Sequence, residues 1–157
     1  MEIRRISFFI ASSAELKPER KELVDLIQDL NEELEEKGVK LKPVLWEYMD
    51  LSMRAERKED EYLVKLRECE ICIVLFWQIL GEYTVEELVV SIQEMRAGRC
   101  PKEVHVLFKE PAENASEELI SFKEYFYKKY QLHTKTFNNA ESLREQVEDI
   151  LQKYIYK

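Results

Sequence analysis

The sequence is poor in the residues from which tight loops, disulfide frameworks and membrane spans are made. Its 157 residues include three glycines, four prolines, three cysteines and two histidines. So few glycines exclude a phosphate-cradling loop of the G-x-x-x-x-G-K type, and the segment ASSAELKPE after the first apolar run has none. Cys69, Cys72 and Cys100 are an odd number in a chain with ample other core residues, which points away from disulfides and to a reducing, cytoplasmic setting. No stretch reaches the ~20 apolar residues of a membrane span. Residues 1–10 carry Glu2, Arg4 and Arg5 before a short apolar run, which is not the pattern of a signal peptide. Positive charge is also in deficit: 24 Lys+Arg against 32 Asp+Glu give a formal charge of -8, a field that disfavours nucleic acid.

What is present is a regular alternation of two periodicities. Residues 3–10 (IRRISFFI) are β-branched and aromatic and run into Ala11, Ser12 and Ser13, as a buried strand entering a loop does. From Pro18 to Lys37 the residues Leu23, Leu26, Ile27, Leu30 and Leu34 recur at helical spacing, with Gly38 as a stop signal. Residues 39–47 (VKLKPVLWE) read as a second strand, placed at a sheet edge by Pro43. The polar stretch Tyr48 to Asp60 precedes a short helix ending near Arg67. Residues 71–77 (ICIVLFW) are continuously apolar, as in a central parallel strand covered on both faces. A helix over Val85 to Arg96 follows, with Val85, Leu88, Val89, Ile92 and Met95 as its apolar face. A strand at Val104 to Phe108, a helix over Ser116 to Tyr130, a short strand near His133 to Phe137 and a helix over Ala140 to Tyr154 complete the chain.

This alternation predicts a single α/β domain over residues 1–157. Its expected form is a three-layer, flavodoxin-like fold with a five-stranded parallel sheet in the order 2-1-3-4-5 and helices on both faces. Ligands of such sheets bind beyond the carboxyl ends of the strands, where the strand order reverses. That rule selects Ala11, Ser12 and Ser13 after strand one, Trp46 and Glu47 at the end of strand two, and Trp77 and the segment Gly81 to Glu87 after strand three. Aromatic rings beside carboxylates suit a nucleotide-like glycoside: the ring stacks on a base, and the carboxylate binds ribose or stabilises a cation at the anomeric carbon. Each residue also has a plainer reading. Thr84-x-x-Glu87 at a helix start is a capping-box pattern, the tryptophans fit a core, and Ser12 and Ser13 fit a turn.

Other chemistries fit less well. A response-regulator receiver needs acidic residues where this chain has Ala11 and Trp77, and the hydroxyl-rich loop of flavodoxins is only echoed by Ser12 and Ser13. Cys69-x-x-Cys72 straddles a strand start, whereas a redox CxxC works at a helix N-terminus. His105 and His133 fall on strands without paired spacing, so no metal site is expected.

Three segments, FFIASSAELKPERKEL, VLWEYMD and ECEICIVLFWQILGEYTVEEL, with the polar loop between the last two, resemble the Toll/interleukin-1 receptor (TIR) superfamily and most closely its bacterial members. The resemblance covers roughly residues 3–110. It implies that Glu87 of the segment Tyr83, Thr84, Val85, Glu86, Glu87, Leu88 falls on the family's catalytic glutamate. In catalytic members that residue supports cleavage of nicotinamide from NAD+. Thr84 stands where a cysteine is common in the family, and the loop YMDLSMRAERKED lacks the usual glycine or proline turn.

The resulting expectation is an NAD+ glycohydrolase of bacterial defence or signalling, with NAD+ as substrate and no further cofactor. Glu87 is its catalytic carboxylate, and Ala11, Ser12, Ser13, Trp46, Glu47, Trp77 and Tyr83 line the pocket. Self-association is implied by the same resemblance, with the loop from Leu51 to Arg57 as a candidate assembly surface or a simple solvated connection. Two other readings stand beside it: a noncatalytic TIR adaptor in which Thr84 and Glu87 only cap a helix, and an enzyme like the nucleoside deoxyribosyltransferases.

Overall fold

The computed structural model describes residues 2–45, 58–131 and 133–157. Among the described residues, five parallel strands alternate with five α-helices: β1 (Arg4–Ser12), α1 (Lys17–Leu34), β2 (Val39–Val44), α2 (Lys58–Arg67), β3 (Ile71–Phe76), α3 (Glu82–Arg96), β4 (Glu103–Lys109), α4 (Glu117–Tyr130), β5 (Thr134–Phe137) and α5 (Ala140–Ile155). The strand order is β2-β1-β3-β4-β5, as the alternation predicts. The register sets Phe8 beside Ile71, Ser12 beside Leu75 and Phe76 beside Phe108, so the order reverses between β1 and β3.

Side-chain alternation along the strands creates two cores. On one face Ile6, Phe8 and Ile10 of β1 and Ile71, Ile73 and Leu75 of β3 pack with the inner residues of α1 and α5. On the other, Phe9 and Ala11 of β1 and Cys72, Val74 and Phe76 of β3 pack with α2, α3 and α4. The run ICIVLF is apolar throughout because all six residues of β3 are buried between these layers.

The edge position expected from Pro43 is observed, with Pro43 beside Phe8 in the register of β2. The outer edge is partly covered from α1. The Asn31 side-chain amide donates to the Leu41 carbonyl at 3.0 Å, and its Oδ1 accepts from the Leu41 N–H at 2.8 Å. One side chain thereby replaces both bonds of a missing strand partner.

Local chemistry sets the helix ends. Gly38 closes the turn after α1 at φ 69, a left-handed conformation in which a Cβ is disfavoured. Ser116 accepts from the Leu119 N–H at the start of α4, and Asn139 and Ser142 form a reciprocal capping box on α5. No helix among the described residues is long and apolar enough to cross a membrane.

Candidate functional site

Three segments surround the carboxyl ends of β1 and β3, the place where the strand order reverses and where ligands of such sheets bind. The first is the end of β1 with Ser12 and Ser13. Both serines are bound from below by Arg20 of α1, which donates to Ser12 Oγ at 2.5 Å and to the Ser13 carbonyl at 2.8 Å. Arg20 is only 1% exposed. It lies in register with the apolar stripe Leu16, Leu23, Ile27, Leu30 and Leu34, so the helix that fills one core also carries a guanidinium to the end of the central strands.

The second segment is the loop between β3 and α3. Glu15, in the single 3-10 turn after Ser13, reaches across to it: its carboxylate accepts from the Gln78 N–H at 3.1 Å and the Ile79 N–H at 2.6 Å. The same carboxylate accepts from Ser13 Oγ at 3.0 Å. A Cβ at Gly81 would stand only 2.9 Å from Thr84 Oγ1 in the first turn of the helix that follows, and at an ordinary 3.5 Å from Ser13 Cβ of the facing loop. Glycine is needed here for close approach, not for an unusual backbone angle.

The third segment is α3, where the structure departs from the sequence reading. The helix begins at Glu82 with Gly81 as its N-cap, three residues before the expected start at Val85. Thr84 is therefore inside the first turn and caps nothing, and the expected Thr84–Glu87 capping box does not form. The buried stripe is also rotated. It consists of Thr84, Glu87, Leu88, Ser91 and Ile92, while Val85 and Val89 are only half-buried. The sequence misled because Glu82 and Tyr83 offer no apolar start signal, and because the valines mark a more regular apolar face than the one the helix buries.

Glu87 is consequently 7% exposed, one turn below Thr84 on the helix face that meets the sheet. Five residues after Glu82, it lies about 7 Å along the axis from the first residue of the helix. Its charge reaches the Cys72 thiol on β3. Burial first, and then the Glu87 charge, push that thiol up, opposed by a hydrogen bond with Ser91. Ala11, the small residue near the end of β1, faces the same side of the sheet as Leu88 and Val74.

The remaining candidates divide. Ser12 and Trp77 lie on the α1 side of the sheet. Trp77 is half-buried, donates from Nε1 to the Pro111 carbonyl at 2.9 Å, and carries Lys109 Nζ 4.0 Å from its ring centroid. Lys109 in turn pairs with Glu19 at 2.7 Å. Trp77 is thus a wall residue on the side opposite Glu87. Tyr83 is 54% exposed in the first turn of α3. Trp46 and Glu47 lie outside the described residues, as does the loop from Leu51 to Arg57.

Sequence reasoning missed Glu15, Glu19, Arg20 and Lys109. A signal for Arg20 existed: a charged residue seven positions before Ile27 and three before Leu23, on a stripe that is otherwise apolar. Glu15 gave none, because its partners lie 63 and 64 residues away.

No protein-family model and no curated protein matches the sequence. Solved structures do match in three dimensions. One is the TIR domains of the activated Roq1 resistosome directly recognising the pathogen effector XopQ, with a TM-score of 0.56 at 14% identity over 93% of this chain and 99% of that one. The chain has a TIR-like fold. A second match is the CMP N-glycosidase BcmB of Clostridium botulinum, with a TM-score of 0.54 at 17% identity over 90% of this chain and 98% of that one. The chain is accordingly similar in fold to a CMP N-glycosidase as well as to the TIR domains of the Roq1 resistosome.

Proposed function

We propose that this TIR-like chain is an N-glycosidase acting on a nucleotide, with NAD+ as the substrate and Glu87 as the catalytic carboxylate. The observation that carries the reading is the burial of Glu87 on the sheet-facing stripe of α3, where it does not cap the helix. Burying a carboxylate opposes folding, and positions where proteins retain such groups beside a ligand crevice are enriched in catalysis. The fold shared with the CMP N-glycosidase BcmB supports the same class of reaction.

In this reading the bond between C1′ of the ribose and the nicotinamide nitrogen breaks, and its electron pair leaves with the neutral nicotinamide. Positive charge develops at C1′ and the ring oxygen, where the Glu87 carboxylate stabilises it. Water then adds to C1′ and loses its proton, giving ADP-ribose. The leaving group needs no acid, so one carboxylate suffices where glycosidases that expel an alkoxide use two. Ala11, Ser12, Ser13, Trp77 and Tyr83 are the described pocket candidates, with Trp46 and Glu47 proposed from the sequence. Self-association is part of the proposal, as is a cytoplasmic role in bacterial defence or signalling.

A nucleotide monophosphate substrate is the second reading, favoured by the structural match to BcmB. A panel of NAD+, CMP and a deoxynucleoside with an acceptor base, analysed by chromatography for released base, separates the possibilities. Nicotinamide release alone supports NAD+, and cytosine release alone moves the assignment to nucleoside monophosphates. Base exchange selects a deoxyribosyltransferase. No release at any protein concentration leaves the adaptor reading.

A further inference from the structure

Two successive backbone N–H groups, those of Gln78 and Ile79, and the hydroxyl of Ser13 converge on one carboxylate at the point where the strand order reverses. Successive N–H groups aimed at one point form an anion-binding concavity, and here the anion comes from the chain itself, from Glu15. The Arg20 guanidinium stands directly behind, holding the Ser13 carbonyl and the Ser12 hydroxyl, so a buried positive charge backs the donors in a chain of net charge -8. Lys109, beside Trp77, is a second cation at the same strand ends.

We propose that this donor set is a phosphoryl-binding subsite, occupied by the Glu15 carboxylate in the free protein and taken over by the phosphate of a bound nucleotide. A phosphate monoester offers three acceptor oxygens and more negative charge than the carboxylate, and the diphosphate of NAD+ spreads two negative charges over four non-bridging oxygens, so either satisfies the same donors with stronger charge-assisted bonds. Glu15 belongs to a three-residue turn and is half-buried, so on displacement its carboxylate moves into solvent without disturbing α1. The subsite acts as a selectivity device: an unphosphorylated nucleoside leaves Glu15 in place, whereas a nucleotide exchanges one anion for another. The inference rests on the nucleotide glycosidase reading for its ligand, but not on turnover.

The test is calorimetric binding of inorganic phosphate and of ribose 5-phosphate, with ribose as control, to wild type and Glu15→Gln. None of these probes contains a glycosidic base, so the result is independent of whether nicotinamide is released. The expected result is binding of both phosphates about tenfold tighter to Glu15→Gln, because no charged competitor has to leave, and reversal of that gain by adding Ser13→Ala. Tighter inorganic phosphate without tighter ribose 5-phosphate would overturn the nucleotide as occupant. Equal or weaker binding of both by a folded Glu15→Gln would make Glu15 a tie between loops and overturn the subsite. Should the variant fail to fold, amide NMR of the wild type decides: the Gln78 and Ile79 signals are expected to move on addition of ribose 5-phosphate and not of ribose, and their indifference to millimolar phosphate would reject the proposal.

Discussion

Single residues at the strand ends tie functional geometry to stability. Arg20 is one of these ties, since it spans from the apolar stripe of α1 to Ser12 at the end of β1 and Ser13 just after it. Replacing it with methionine keeps the volume but leaves buried polar groups without their donor, and the expected cost is about 2 kcal/mol, read as a lower urea midpoint. An unchanged midpoint would show that the serines are held by other means. The thiols give a second expectation. Burial pushes Cys69 up to about 12 and also raises Cys72, whereas Cys100 is only half-buried. Native protein at pH 8 should therefore react with a thiol reagent at Cys100 first, with the other two appearing on unfolding; equal rates would contradict their burial. Because the folded pKa of Cys69 lies above its unfolded value, the stability it confers is complete below pH 9 and is lost as pH rises toward 12. The loss at pH 10 is about 1 kcal/mol, and Cys69→Ala should fall less steeply in melting temperature from pH 8 to pH 10. Legibility at this scale was uneven: the place of Ser12 and Ser13 at a strand end followed from the apolar run before them, but Glu15 acts through long-range partners that no local pattern announces.

At the scale of elements, the sequence was most informative where burial is two-sided and least where a polar residue occupies a buried position. β3 was legible because all its residues are buried. α3 was not, because its inward stripe includes Thr84, Glu87 and Ser91, and the eye follows the valines instead. A helix that buries a carboxylate in place of an available valine departs from the packing optimum, and such departures concentrate at functional sites. The edge of β2 was legible through Pro43, but its protection by Asn31 was not, since that side chain also fits the solvated face of a long helix. Asn31→Leu removes both bonds to Leu41. It should destabilise the protein by about 1–2 kcal/mol and increase association through the uncovered edge, detectable by light scattering. A variant as stable and monodisperse as wild type would show that the Asn31 bonds contribute little.

At the scale of the molecule, the described residues form a sheet with two dissimilar packed sides that meet at the carboxyl ends of β1 and β3. One core, packed by α1 and α5, sends Arg20 upward to hold the β1 loop, while the other, packed by α2 to α4, holds Glu87 below the first turn of α3. Glu15 joins the two sides, which fixes the loops of β1 and β3 relative to each other. Strand order follows from alternation and the handedness of crossovers, and so could be read from the sequence. The meeting of side chains across these strand ends could not, because it depends on helix rotation and loop path. The most direct test of a catalytic Glu87 is nicotinamide release from NAD+ by wild type and Glu87→Gln at several protein concentrations, with circular dichroism confirming that both are folded. Release by wild type, reduced about 100-fold or more in the folded variant, is the expected result. Equal release by the two proteins, or none from wild type at any concentration, would contradict it.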